Sequence, residues 1–345
     1  MDALSDVLRV VQLTGAVYLN GSFSTPWCIV VPANSPLCSN YLPSSDRVIS
    51  FHLLTEGSCL ASLPDDAGCA LQVDAGEVIV VPQGDTYLLG SSIDLAPEYM
   101  APLLADQVSL NPGGVMTLAH GGTGAGTRMI CGFLAAQDIW KNPLLAALPR
   151  LFKVGMRGSR ASWLESSLRF ATEEVGSHRA GSSTVLAKLA ELLFVEAVRC
   201  HVDTMPSDGT GWLAGLRDRL VGRVLALMHA RPAHPWTVED LARQVGMSRS
   251  ALAQRFTDLI GVPPMQYLAR WRLQLAAQRL RLSNRPLAVV AEEVGYESEA
   301  AFNRAFKREF GMPPATWRRT ATRNAGGDSS AGPYPNPQPT GAGAG

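Results

Sequence analysis

The sequence predicts an α+β protein with a β-rich N-terminal half and an all-α C-terminal half. Between residues 27 and 134, short apolar runs alternate with turn residues, a pattern typical of a β-sandwich or barrel. From residue 237 onward, apolar residues recur at helical spacing and one segment occurs twice. A chain of 345 residues is long enough for two domains.

The N-terminal half begins with an ambiguous segment, since residues 7–19 fit either a short helix or a strand. The predicted strands that follow cover Trp27–Val31, Val48–Leu54, Cys59–Leu63, Cys69–Val73, Val78–Val81, Tyr87–Leu89 and Thr127–Leu134.

Helical spacing returns in the segments Trp163–Glu174 and Ser183–His201. The second helix carries an apolar stripe from Leu186 to Ala197, which fits either an internal core or a dimer seam. We expect the seam, so residues 1–204 form a domain with dimerisation helices. Residues 205–212 read as a linker, and residues 324–345, rich in Gly, Pro and Ser, as a disordered tail.

The C-terminal half contains one helix-turn-helix pattern twice, in Thr237–Pro264 and Pro286–Pro314. The two copies repeat at a spacing of 49 residues before the turn and 50 residues after it. In the first copy Thr237 and Ser248 read as N-caps, and Gly246 as the residue that ends the first helix. A helix, a glycine-bearing turn and a second helix are typical of a DNA-reading motif.

A glycine-free segment of about 20 residues joins the copies, and at 1.5 Å per residue its helix would be roughly 30 Å long. One turn of B-DNA is about 34 Å. A helix of this length could therefore hold two recognition helices in successive major grooves.

Charge is distributed unevenly along a chain whose formal net charge is zero. Residues 213–323 carry 18 Lys and Arg against 9 Asp and Glu, whereas residues 1–212 carry 12 against 20. A basic C-terminal domain attached to an acidic one favours phosphate binding by the former.

These features resemble the DNA-binding domain of AraC/XylS-type transcription regulators. The segment GYESEAAFNRAFKREFGMPPATWRR is similar to the signature of that family, and the likeness covers roughly residues 215–320. Residues 5–155 resemble the cupin-type sensor domain of one subfamily, on the segments FHLLTEG, LQVDAGEVIVVPQG and CGFLAAQDIWKNPLLAALP. The resemblance implies a cupin-like β-barrel with following helices, then a double helix-turn-helix domain over residues 213–323.

The resemblance also implies which residues contact DNA. Base-reading positions fall on the outward faces of the second helix of each motif, at Ser250, Ala253, Gln254, Glu299, Ala300, Asn303 and Arg304. Flanking Arg249, Lys307 and Arg308 are expected to contact phosphates. Ala253 can offer only an apolar contact, so the first motif is expected to read fewer bases.

The implied partners are double-stranded promoter DNA, a small-molecule effector, a second copy of the chain, and RNA polymerase if the protein activates transcription. We expect no membrane partner, because there is no apolar run of 18 residues, and a cytoplasmic location, because the N-terminus lacks the basic region of a signal peptide.

Two alternatives remain. A metal-dependent cupin enzyme would need two neighbouring histidines and a carboxylate, but there is no H-x-H pair and His52 stands alone. We therefore expect neither catalysis nor a cofactor. A thiol-responsive regulator stays open, because five of the six cysteines lie in the first 131 residues.

Overall fold

The computed structural model describes residues 3–10, 12–33, 47–66, 68–100, 103, 115–137, 142–155, 163, 166–167, 170, 181–206 and 209–325. The predicted α+β class is confirmed. Among the described residues, strands, three α-helices and a short 3-10 helix at Pro64–Asp66 form the N-terminal half, and helices form the C-terminal half.

The N-terminal strands form two sheets. Their bounds are β1 Gln12–Ser24, β2 Cys28–Val31, β3 Arg47–Glu56, β4 Ser58–Ser62, β5 Leu71–Asp74, β6 Glu77–Val81, β7 Tyr87–Gly90, β8 Glu98–Tyr99, β9 Val115–Gly121, β10 Gly126–Gln137 and β11 Phe152–Gly155. One sheet has the order β11-β6-β3-β10-β1-β9, and the other β5-β4-β7-β2-β8. The prediction of a β-barrel is corrected here, because the described strands form two separate sheets and not one closed barrel.

All seven predicted apolar runs contain strands. The ambiguous segment at residues 7–19 divides between two elements, since helix α1 spans Ala3–Val10 and β1 begins at Gln12. Its strand character depends on distant partners, because β1 pairs antiparallel with β10 and parallel with β9. Large apolar side chains including Phe23, Trp27 and Phe133 are buried in a core shared by the two sheets.

Two further α-helices of the N-terminal half lie within the described residues. Helix α2 spans Pro143–Ala147 and is capped by Asn142, whose Oδ1 accepts from the backbone N–H of Leu144 at 3.0 Å. Helix α3 spans Ser182–Thr204 and packs on β1, β10 and β11. The predicted helix Trp163–Glu174 lies largely outside the described residues.

The predicted dimer seam on α3 is wrong for the Leu186–Ala197 stripe. Leu186, Leu193, Phe194 and Ala197 are each at most 6% exposed within a single chain, in a core that includes residues of the six-stranded sheet. The stripe is apolar because it covers that sheet, so it is not available to a second copy.

The C-terminal half consists of eight helices within the described residues. They are α4 Trp212–Arg217, α5 Arg219–Ala230, α6 Val238–Val245, α7 Arg249–Ile260, α8 Pro264–Leu282, α9 Leu287–Glu293, α10 Glu299–Phe310 and α11 Pro314–Ala325. Because α11 continues to Ala325, the predicted tail loses its first two residues to a helix, and residues 326–345 lie outside the described residues.

Two apolar cores divide the C-terminal half unequally. The first motif shares a continuous core with α1, α2, α3 and the six-stranded sheet, which includes Val7, Phe194, Trp212 and Phe256. The second motif has a core of its own. Helix α8 contributes its N-terminal part to the first core and its C-terminal part to the second.

Candidate nucleic-acid interface

The first helix-turn-helix motif is α6 followed by α7, and its ends are formed as the sequence predicts. The Oγ1 of Thr237 accepts from the backbone N–H of Asp240 at 3.0 Å, and the Asp240 carboxylate accepts from the backbone N–H of Thr237 at 3.3 Å. Gly246 ends α6 with φ of 70°, and the Oγ of Ser248 caps α7 by accepting from Ala251 N–H at 3.2 Å. Phe256 of α7 is fully buried.

The second motif, α9 followed by α10, repeats this arrangement. The Oγ of Ser298 accepts from the backbone N–H of Ala301 at 3.2 Å, as Ser248 does for α7. Phe302 and Phe306 are fully buried, and their ring centroids are 5.5 Å apart. Trp317 of α11 packs edge-on against Phe306 at 5.9 Å. In both motifs, the second helix buries one face in the core and leaves its opposite face exposed to solvent.

Helix α8 does more than separate the two motifs, because its Arg272 bonds to the backbone on both sides. Its guanidinium donates to the carbonyls of Pro232 at 2.7 Å and His234 at 2.9 Å, before the first motif, and of Gly295 at 3.2 Å, in the second turn. Charge-assisted bonds of this kind are stronger than neutral ones. Arg272 therefore fixes the second turn against the segment that leads into the first motif.

The predicted base-reading residues lie on accessible faces. Ser250 and Gln254 on α7 are exposed, and Ala253 between them is half-buried. On α10, Glu299, Ala300 and Arg304 are exposed and Asn303 is half-buried. Each set therefore forms one outward surface on its helix.

Two of these polar residues are less free than the sequence suggests. The amide Nε2 of Gln254 donates to the Asp258 carboxylate at 2.7 Å, so base contact would require this bond to open. The Oδ1 of Asn303 is buried and has no hydrogen-bond partner among the described residues. Asn303 therefore lies at the margin of the α10 surface, whereas Arg304 is exposed.

The cations of the domain fall into two groups. Within the described part of the chain, Arg249, Arg304, Lys307 and Arg308 are exposed and form no ion pair. Other arginines have structural partners. Arg255 on α7 pairs with Asp218, the N-cap of α5, and Arg279 pairs with Glu293 at 2.8 Å. Three of these four cations lie on α10, so most of the unpaired positive charge on the second helices of the two motifs belongs to the second motif.

A chain of buried polar side chains, which no sequence pattern indicates, lies beneath the first motif. The indole N–H of Trp212 donates to the Tyr267 hydroxyl at 2.8 Å, and that hydroxyl lies 2.7 Å from Nε2 of His229. Burial lowers the pKa of His229 to about 3, with a smaller opposing effect of the Ala3 backbone, and raises the pKa of Tyr267. The neutral imidazole therefore accepts at Nε2 and the hydroxyl donates.

The two alternative functions, a metal-dependent cupin enzyme and a thiol-responsive regulator, depend on histidine and cysteine side chains of the N-terminal half. His52 is fully buried, its Nε2 is 2.6 Å from the Tyr87 hydroxyl, and burial lowers its pKa to about 3. No cluster of three His, Cys, Asp or Glu side chains suited to a metal occurs within the described ranges. Among the described cysteines, Cys28, Cys59, Cys131 and Cys200 are buried and Cys69 is exposed, while Cys38 is outside those ranges.

None of the helices within the described ranges combines the length and the apolar character needed to cross a lipid bilayer.

Comparison with known proteins gives matches over both halves. Residues 2–203 match a family model described as Cupin, and residues 241–320 match one described as Helix-turn-helix domain. The chain is 33% identical over 330 residues to a putative AraC-like transcription regulator of Streptomyces lividans, covering 93% of this chain and 99% of that one. It is 30% identical over 329 residues to the HTH-type transcriptional regulator AlkR of Acinetobacter baylyi, covering 92% and 99%.

Two further matches are similar in kind. The RCS-specific HTH-type transcriptional activator RclR of Escherichia coli is 29% identical over 319 residues, covering 92% of this chain and 97% of that one. Among solved structures, the DNA-binding domain of AdpA in complex with a target DNA is 32% identical, covering 32% of this chain and 99% of that one, with a TM-score of 0.30.

Proposed function

The chain belongs to the AraC family of DNA-binding transcription regulators, and we propose that it binds promoter DNA with both helix-turn-helix motifs at once. Helix α8 has 19 residues, so it is about 28 Å long at 1.5 Å per residue. That length approaches one turn of B-DNA, about 34 Å. Helices α7 and α10 would then enter successive major grooves on one face of the DNA.

One observation supports this proposal. The two motifs have the same arrangement, and the second helix of each carries on its outward face at least one exposed cation without an ion pair among the described residues. Base contacts are assigned to Ser250, Ala253, Gln254, Glu299, Ala300, Asn303 and Arg304, and phosphate contacts to Arg249, Lys307 and Arg308. Arg304 is the main specificity residue, because an exposed guanidinium can donate two parallel bonds to guanine O6 and N7.

The test is selection of bound fragments from genomic DNA, followed by titration of the selected site and of random DNA. Arg304→Ala should cost about 1–3 kcal/mol on the selected site, relax the preference at one base position and leave random DNA nearly unaffected. Arg199→Ala is the matched control, because Arg199 is an exposed arginine on α3 in the N-terminal half. Equal losses on both DNAs would reassign Arg304 to a phosphate contact.

For regulation, we assign residues 1–204 to sensing a small molecule, residues 205–212 to a linker and residues 213–323 to DNA binding. A thiol switch is less well supported, because four of the five described cysteines are buried. The relatives are regulators, and no enzymatic activity is proposed. RNA polymerase would be a partner if the protein activates transcription.

A homodimer would double the DNA contacts by tethering two DNA-binding domains. Since the Leu186–Ala197 stripe is internal, the seam must lie elsewhere. The opposite face of α3 leaves Val185 37% exposed and Leu192 52% exposed, and we assign the seam to that face.

A further inference from the structure

A cavity of about 530 Å³ opens where the N-terminal half meets both helix-turn-helix motifs. Its walls come from five separate parts of the chain. They are α2, the start of α4, the end of α7 with the following turn, α8, and α10, which contributes Glu309 from the second motif. Small-molecule sites in proteins commonly have volumes of about 300–1,000 Å³, so this cavity has the size of a ligand site.

Most of the wall is apolar, and its flat surfaces are aromatic. Trp212 and Trp271 contribute indole rings, Ile260 an aliphatic side chain, and Ala146 a methyl group from α2. Planar walls of this kind favour a ligand with a flat apolar body.

One charged group of the wall lacks an ion-pair partner among the described residues and favours a ligand with negative charge. Arg270 is exposed and forms no ion pair within the described ranges. Glu309 also lines the cavity and would repel a ligand with several negative charges.

The space between the two sheets offers less room for such a ligand. Phe23, Trp27, Tyr87 and Phe133 are each at most 3% exposed there, and His52 fills a further buried position. Close-packed side chains leave few voids larger than a water molecule. The inter-motif cavity is therefore the better candidate for a small-molecule site.

From this geometry we propose that the cavity binds a small organic monoanion with a flat aromatic body and one carboxylate, which bonds to Arg270. The proposal rests on the proposed function, because it names where and what the regulator senses. A ligand in this place contacts α2, the first motif, α8 and α10 together, so it favours the arrangement in which these elements are assembled. By linkage, a ligand that favours one arrangement changes DNA affinity if the two arrangements differ in that affinity.

The binding test uses the full chain and 2-naphthoate as the probe, followed by calorimetry and tryptophan fluorescence. We expect saturable binding at one site per chain, and weaker binding of the neutral analogue 2-naphthamide. Arg270→Gln removes the cation and Ala146→Trp fills the cavity from an exposed position on α2, and each should weaken naphthoate binding at least tenfold. Arg199→Gln is the matched control and should leave binding unchanged.

Absence of saturable naphthoate binding by the folded wild-type chain would overturn the site, and so would equal binding by wild type and both cavity variants. Coupling is tested separately by titrating a selected DNA fragment with and without saturating naphthoate. A change of about fivefold or more in DNA affinity, lost in Ala146→Trp, supports the coupling, and an unchanged affinity overturns it. Failure of the wild-type chain to bind any selected DNA would instead overturn the proposed function and leave the ligand site standing on its calorimetry.

Discussion

Lys307 shows how a single side chain can be tested for a role that exposure alone does not establish. It lies on the last turns of α10, exposed and without an ion pair among the described residues. We predict that Lys307→Ala weakens binding to selected and random DNA alike, and lowers the slope of log affinity against log salt by about one unit, because one counterion fewer is released. Arg255→Ala, which removes an arginine paired with Asp218, should alter that slope less. An unchanged slope for Lys307→Ala would assign this lysine to solvent.

His229 is a residue whose titration should be visible in stability. The imidazole is buried, and burial lowers its pKa from 6.5 to about 3. Below pH 6.5 the unfolded chain therefore binds a proton that the folded chain does not, and stability falls as the pH decreases from about 6.5 towards 3. The slope per buried histidine is at most about 1.4 kcal/mol per pH unit.

We predict that urea unfolding between pH 7 and pH 5 shows this loss, and that His229→Gln reduces the slope by up to one proton. The exposed His234→Gln serves as the control. Equal slopes for wild type and His229→Gln would show that His229 is protonated alike in the folded and unfolded chains.

The cysteines give a residue-scale test of the thiol alternative. Burial raises the pKa of Cys59 to about 12, with a smaller contribution from Asp74, and burial also raises the pKa of Cys131. Such thiols are protonated at neutral pH, and the thiolate is the reactive form. We predict that iodoacetamide labels Cys69 in the folded protein and labels Cys59 and Cys131 only after unfolding, as followed by mass spectrometry. Rapid labelling of either buried thiol would favour the thiol switch.

At the scale of elements, α3 provides adjacent residues with opposite environments. Leu193 is 6% exposed in the shared core, and Leu192 is 52% exposed on the other face. We predict that Leu193→Glu prevents folding, because it buries a charge without a partner. Leu192→Glu should retain the fold, and sedimentation should show a monomer if this face is the seam. A dimeric Leu192→Glu protein would exclude the exposed face, and a folded Leu193→Glu protein would contradict the burial.

The two turns of the repeated motif offer another matched pair. Gly246 and Gly295 both have left-handed φ values, of 70° and 87°. A Cβ at Gly246 meets nothing within 4 Å, but a Cβ at Gly295 would lie 2.8 Å from the Ala233 Cα. We predict that Gly246→Ala costs about 1–2 kcal/mol from its backbone conformation alone. Gly295→Ala should cost more and weaken DNA binding, since it pushes the motifs apart, and equal unfolding free energies would contradict this contact.

Local signals explain why the helical half could be predicted well. The caps Thr237 and Ser248 and the turn glycine Gly246 each act within a few residues, so their geometry follows from sequence. Strand β1 could not be assigned with the same certainty, because its register is set by strands about a hundred residues away, as in the pairing of Leu19 with Cys131. The α3 stripe is apolar because it packs on the six-stranded sheet. Residue spacing along α3 alone does not distinguish such an internal face from a dimer seam.

The candidate site could likewise be predicted only where local helical spacing determines it. Helical spacing predicts that the residues proposed to contact DNA share an outward face, and in the structure all of them except the half-buried Ala253 and Asn303 are exposed. The bond from Gln254 to Asp258 and the pairing of Arg255 with Asp218 depend on side-chain geometry that spacing does not give. The cavity between the motifs could not be predicted, because its walls come from segments between residues 143 and 309.

For the whole molecule, the distribution of cores indicates that the second motif is the more independent unit. Phe256 and Phe306 occupy equivalent positions of the repeat, 50 residues apart, and both are fully buried. Phe256 belongs to the core shared with the N-terminal half, whereas Phe306 belongs to the separate core with Phe302 and Trp317. Stability in proteins is distributed over such cooperative units, which open separately.

Alanine substitutions at these two positions should therefore destabilise different parts of the chain. Each Phe→Ala change is expected to cost about 3–5 kcal/mol in its own core. We predict that Phe306→Ala lowers amide hydrogen-exchange protection in α9, α10 and α11 and leaves α1 and α3 protected. Phe256→Ala should lower protection in α5, α6 and α7 and also in α1 and α3, because these helices share its core. The same exchange pattern in both variants would show that the chain unfolds as one unit, and a pattern confined to α5–α7 in Phe256→Ala would show that the contact between the halves adds little stability.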